Sequence, residues 1–191
     1  MSRRSYTALW TKAFKRSMAA ATRSSVAVGK RVVKRAIQDA VARSQPPPGE
    51  GDWIAGMALG PKGARRFRLY RPPGVKAGER LPLLVMLHGC GQDARSFAVS
   101  TRMNRVAARE RFLVLYPEQD RLANAQGCWN WFDTDGGRAY GEAALILNAV
   151  DQASLLYPVD PTRVAIAGLS AGASMAALLV TRHPERFKAV V

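Results

Sequence analysis

The chain has 191 residues, 48% of them hydrophobic and 23% charged, a balance that supports one sizeable core and excludes disorder throughout. Lys and Arg number 29 against 14 Asp and Glu, and residues 1–45 alone hold 11 basic residues and one acidic, so the charge belongs mainly to an N-terminal arm and is no argument for nucleic-acid binding by the remainder. No apolar run approaches the ~20 residues that cross a bilayer, and two cysteines, Cys90 and Cys128, cannot build a four-cysteine zinc site.

In the arm, Trp10, Phe14, Met18, Ala21, Val28 and Val32 fall close to one helical face, with Lys12, Lys15, Arg16, Arg23, Lys30, Lys34 and Arg35 mostly elsewhere. This predicts a basic amphipathic helix, or a solvated extension that is helical in part. Its partner is an anionic membrane or polymer-granule surface ahead of nucleic acid. A secretory signal fits poorly because positive charges recur through Arg43, while the Arg- and Ser-rich, acid-poor composition also satisfies an organelle transit peptide. Pro46-Pro47-Pro48-Gly49 stops any helix, since proline lacks the N–H donor and constrains the residue before it. The expected organisation is an arm at 1–45, a Pro/Gly linker at 46–52 and a folded domain at 53–191.

Within that domain, 53–59 and 65–71 read as a hairpin around Gly60-Pro61-Lys62-Gly63, with Phe67 and Leu69 alternating against Arg66 and Arg68. The apolar run 81–87 predicts a buried parallel strand, and 112–116 and 163–167 predict two more. Helical patterns cover 96–110 and 141–156, and a third begins after Gly172. Strands alternating with helices give an α/β class with a mostly parallel sheet covered on both faces.

Gly168-Leu169-Ser170-Ala171-Gly172 joins a strand to a helix with serine at the apex, where side chains in place of the glycines would clash as strand and helix approach. That turn exposes the Ser170 hydroxyl at a helix N-terminus, whose free N–H groups favour negative charge, and directs the Ala171 N–H to where a tetrahedral oxyanion forms. Ser170 is the candidate nucleophile. A second oxyanion donor is expected from the loop His88-Gly89-Cys90-Gly91-Gln92 after the earlier central strand. Trp129, Asn130, Trp131 and Phe132 form an aromatic cluster that either presents rings to a substrate or folds onto itself. Asp133-Thr134-Asp135-Gly136 lacks the glycine and the distal carboxylate of a calcium loop and is read as a solvated turn, so no metal or other cofactor is expected.

The runs 84–92, Tyr116-Pro117-Glu118-Gln119, Cys128-Trp129-Asn130-Trp131-Phe132 and 168–172, in that order, resemble the poly(3-hydroxybutyrate) depolymerase family of esterases. The resemblance covers about residues 53–191. It implies the α/β-hydrolase fold and serine-dependent hydrolysis of polyhydroxyalkanoate or related esters, with feruloyl and acetylxylan esters open as alternatives. It also implies that the Cys90 backbone shares the oxyanion hole with Ala171, that Cys90 is bridged to Cys128, and that the protein is extracellular. Two free thiols are the alternative in a reducing compartment. A non-catalytic module that docks through its arm is the competing function; a lipase or peptidase sharing the turn at Ser170 is a third.

A serine esterase of this fold needs an acid and then a base after the nucleophile. No aspartate follows Ser170, and the one later histidine, His183, lies a full helix away. The final residues 188–191 read as the opening of another buried strand, so the sequence is expected to be the front part of a longer domain with the last strands and the Asp and His beyond it, and inactive or nearly so by itself.

Overall fold

The computed structural model describes residues 29–35, 37, 38, 41 and 45–191. They fall into two compact units, Met1–Gln45 and Pro46–Val191. In the first, the described residues are helical from Gly29 to Val41, and Val32, Val33, Ile37 and Val41 are all exposed. Trp10, Phe14, Met18, Ala21 and Val28 of the expected amphipathic face lie outside the described residues.

The second unit is a six-stranded sheet in the order β1-β2-β4-β3-β5-β6. Its strands are β1 (Asp52–Gly60), β2 (Gly63–Arg71), β3 (Leu81–Leu87), β4 (Leu113–Pro117), β5 (Val159–Gly168) and β6 (Ala189–Val190). β4, β3, β5 and β6 run parallel, while β2 pairs antiparallel with both β1 and β4. Side-chain alternation divides the apolar residues between the two faces. Leu83, Val85, Leu113, Leu115, Val164 and Ile166 pack under α3 (Arg138–Leu156) and α4 (Ala171–Arg182). Met86, Val114 and Tyr116 pack under α1 (Ala94–Thr101) and α2 (Met103–Glu110).

The α/β class with a mostly parallel sheet is as expected, and three details differ. The predicted helix over 96–110 is two helices: Arg102 takes left-handed φ/ψ of 54° and 23°, and the hydroxyls of Ser100 and Thr101 bond the Phe97 carbonyl just before the break. β5 starts at Val159 rather than 163, because Leu81 pairs with Val159 across an irregularity that the Asp160 carboxylate organises through Thr162 and Arg163. The 46–52 stretch is anchored to the fold: Pro47 is buried, the Tyr70 hydroxyl donates to the Glu50 carbonyl at 2.8 Å, and β1 already begins at Asp52.

The topology brings the C-terminal ends of β3 and β5 side by side. The loop after β3 therefore faces the turn after β5, the usual position for a site in an open parallel sheet.

Candidate active site at the ends of strands β3 and β5

Ser170 sits at the N-cap of α4 with φ 53° and ψ −123°, in the half of the φ/ψ map that a side chain normally avoids. The turn persists because its neighbours over-determine it. Leu169 N donates to the Leu87 carbonyl at 3.1 Å, Gly172 N to Leu169 at 2.9 Å and Ser174 N to Ser170 at 3.1 Å. A Cβ on Gly168 would meet the Gly172 carbonyl, and one on Gly172 would meet the carbonyls of Leu87 and His88. Both glycines are thus required by close backbone approach. Ser170 is exposed at the apex, while Ala171 behind it is buried.

The facing loop is a tight turn in which Gln92 N donates to the Gly89 carbonyl at 3.2 Å and Gly91 has φ 75°. Gly91 N donates to Gln126 at 2.8 Å, and Cys90 is joined to Cys128 by a disulfide. The loop after β3 is therefore stitched to the 124–132 segment twice. The neighbouring Asp133 carboxylate accepts from Gly136 N and pairs with Arg138, closing a turn at the start of α3.

Beneath this loop lies His88, which the sequence suggests as a loop-orienting residue rather than a base, within a buried polar network. His88 is 1% exposed, and burial pushes its imidazole below the usual histidine range. Its Nε2 accepts from Gln119 N at 3.1 Å, so the neutral ring carries its proton on Nδ1, which donates to the Gly89 carbonyl at 2.8 Å. The Gln119 amide spans two buried charges: its oxygen accepts from Arg65, and its nitrogen donates to Glu142 at 2.6 Å and to the Cys128 carbonyl at 2.9 Å. Glu142 also accepts from Asn130 N at 2.9 Å and Asn130 Nδ2 at 2.7 Å.

Of the two readings open for the 129–132 cluster, substrate-facing or folded inward, this network selects the second for Trp129 and Asn130 and not the substrate-facing one. Trp129 is fully buried, its indole N–H donates to the His88 carbonyl at 2.9 Å, and its ring contacts both the His88 imidazole and the Arg65 guanidinium. Asn130 is 2% exposed and donates to Glu142 from both its main-chain N and its Nδ2, the latter also reaching the Ala123 carbonyl. Trp131 and Phe132, edge to face with ring centres 5.9 Å apart, are the exposed pair. Arg65, Gln119 and Glu142 had no signal in the sequence beyond the run ending at Gln119, because a buried charge reads like a surface one until its partners are known.

The chain has two histidines, and neither is placed to deprotonate Ser170. His88 has both ring nitrogens engaged. His183 closes the far end of the 12-residue α4, about 18 Å along the helix axis.

Known proteins resemble the chain over most of its second unit. The family described as Esterase PHB depolymerase matches residues 65–191. The poly(3-hydroxyalkanoate) depolymerase C of Paucimonas lemoignei is 34% identical over 135 residues, 70% of this chain and 32% of that protein. The feruloyl esterase B of Neurospora crassa is 31% identical, over 64% of this chain and 42% of its own. Among solved structures, an acetyl xylan esterase from Aspergillus awamori superposes with a TM-score of 0.60 at 22% identity, covering 74% of this chain and 50% of that one. The chain thus spans about a third to a half of the relatives it matches.

Proposed function

Because the chain belongs to the Esterase PHB depolymerase family, we propose that it contributes the nucleophile and oxyanion side of a serine carboxylic-ester hydrolase. The observation that carries this is the conformation of Ser170, held at φ 53° by two glycines that tolerate no side chain. In this reading the Ser170 hydroxyl attacks the ester carbonyl, and the N–H groups of Ala171 and Cys90 hold the oxyanion that forms. Collapse of that intermediate expels the alcohol, and water then releases the acyl group. The proton of Ser170 goes to a base other than His88 or His183.

The substrate we favour is a polyhydroxyalkanoate or short hydroxyacyl ester, by likeness to the Paucimonas lemoignei depolymerase. Feruloyl and acetylxylan esters are the alternative, by likeness to the other esterases. Trp131 is retained as a substrate-side ring because it is exposed beside the disulfide-tethered loop. The same disulfide favours an oxidising, extracellular setting. We also propose that the arm lies on an anionic apolar surface. Val33, Ile37 and Val41 recur at helical spacing and are exposed, interleaved with Lys30, Arg31, Lys34 and Arg35. Binding of the chain to anionic vesicles that survives 0.5 M salt supports this arm reading; complete release by salt overturns it.

The test of the hydrolase reading supplies the missing base from solution. Hydrolysis of p-nitrophenyl butyrate is measured against imidazole concentration for the chain and for Ser170→Ala. A Ser170-dependent increment that rises with imidazole supports the proposal, and identical rates for the two proteins at every concentration overturn it. Repeating the assay with 3-hydroxybutyrate oligomers, methyl ferulate and acetylated xylan ranks the substrates.

A further inference from the structure

The Cys90 N–H can serve an oxyanion only if the Gly89–Cys90 peptide is turned the right way. In a trans peptide the C=O and the next N–H lie in one plane and point in opposite directions. Whatever holds the Gly89 carbonyl therefore aims the Cys90 N–H. Two groups hold it: His88 Nδ1 at 2.8 Å and, less closely, Gln92 N at 3.2 Å. None of the described residues accepts from the Cys90 N–H, so this donor is left available on the side away from the imidazole.

We propose that His88 is a positioning residue: its Nδ1–H fixes the Gly89–Cys90 peptide so that the Cys90 N–H faces the Ser170 turn, and the buried Arg65–Gln119–Glu142 relay sets the tautomer that makes this possible. The inference rests on the hydrolase reading only for what the donor is used for. Gln119 offers its main-chain N–H to Nε2 at 3.1 Å, and a main-chain N–H can only donate. Nε2 must then be the acceptor and Nδ1 the donor. Gln119 is held in place because its amide oxygen answers the Arg65 cation and its amide nitrogen the Glu142 carboxylate. Trp129 closes the arrangement by donating to the His88 carbonyl and packing on the ring at 5.3 Å. A ring flip or the other tautomer would aim a donor at a donor on the Gln119 side and leave the Gly89 carbonyl without its closer partner.

The experiment uses the 15N-labelled chain at neutral pH and reads two quantities that do not depend on turnover. Long-range 1H–15N spectra of the imidazole report the tautomer, and the one-bond residual dipolar coupling of the Cys90 amide in a weakly aligning medium reports the direction of its N–H. The expected result is an Nδ1–H tautomer for His88. Asn at this position keeps a donor where Nδ1 stood, so His88→Asn retains the Cys90 coupling. Gln carries its amide to where Nε2 stood and leaves no donor where Nδ1 stood, so His88→Gln changes that coupling beyond experimental spread while the couplings of β3 and β5 stay put. An Nε2–H tautomer, or a Cys90 coupling that moves equally in both variants or in neither, overturns the inference.

An alkylboronic acid added to the same samples, with the imidazole-dependent hydrolysis measured beside it, separates this from the functional reading. If the boronic acid forms a tetrahedral adduct on Ser170, affinity falls on the order of a hundredfold, toward the scale of losing one oxyanion donor, in His88→Gln and is retained in His88→Asn. If the couplings behave as expected but imidazole elicits no Ser170-dependent hydrolysis, the positioning inference stands and the hydrolase reading falls.

Discussion

The turn after β5 is specified by five consecutive residues, 168–172, whereas the turn after β3 is held by residues drawn from five separate stretches of chain. In the first, two glycines and a short set of main-chain hydrogen bonds impose the geometry of Ser170. In the second, Arg65 from β2, Gln119 after β4, Cys128 to Asn130 from a loop and Glu142 from α3 converge under His88 and Gly89. The proposed nucleophile and its Ala171 donor are placed by local backbone, and the proposed Cys90 donor by a buried polar assembly. Faults in the two turns should therefore look different.

The largest effect is expected from Gly172→Val. Its new side chain drives into the main-chain carbonyls of Leu87 and His88, which are fixed in the sheet and its exit loop, so about 4 kcal/mol of stability is lost. Urea denaturation followed by fluorescence measures it; a loss under about 1 kcal/mol would mean that close approach is not what shapes this turn. Next comes Glu142→Leu, which strips three N–H groups of their acceptor and leaves the Arg65 cation buried without its counter-charge, at about 3 kcal/mol. A distant change should repair this loss. Arg65→Met combined with Glu142→Leu should be less destabilised than the two single losses added together, with a coupling of at least about 1 kcal/mol in the cycle. Simple additivity would show that Gln119 does not transmit one charge to the other.

The same contrast explains what the sequence made legible. The Ser170 turn, the hairpin, the strand 81–87 and the helix after Gly172 could be read because each is encoded by neighbouring residues or by a period of two or 3.6. The expected pairing of Cys90 with Cys128 came from family resemblance. The sequence left two readings of Trp129 and Asn130 open for a physical reason: an aromatic residue in a loop looks exposed until its N–H finds a buried carbonyl, here that of His88. Arg65 and Glu142 lie 77 positions apart in the chain, so no local pattern could join them across Gln119. The break at Arg102 was hidden because Ser100 and Thr101 fit a helical period while their hydroxyls compete for its carbonyls.

A smaller effect separates the two turns by pH. Burial holds His88 below the ordinary histidine value, so the unfolded chain takes up a proton that the folded one refuses. Stability is then full above about pH 6.5, the unfolded value, and declines as pH falls from there toward the lower folded value. Urea midpoints between pH 7.5 and 5 measure this slope, and His88→Asn should flatten it. Gly172→Val should leave the slope unchanged, because the β5 turn contains no group that titrates in this window.

The smallest effect tests whether acid sensitivity can be assigned group by group. At the opposite end of β5 from Ser170, the Asp160 carboxylate accepts from the Thr162 hydroxyl and main chain and pairs with Arg163, which lowers its titration to about 2. A carboxyl lowered in this way lends stability that is complete above its unfolded value of 3.8 and fades as pH drops toward about 2. Because the group is at the surface, solvent screening keeps the contribution small. Asp160→Asn should therefore shift urea midpoints slightly below pH 4 and leave the limb between pH 7.5 and 5 untouched, while His88→Asn should do the reverse. If Asp160→Asn altered the upper limb, the irregular start of β5 would be coupled through the strand to the loop around His88, and the separation between the locally built turn and the network-held one would fail at that strand.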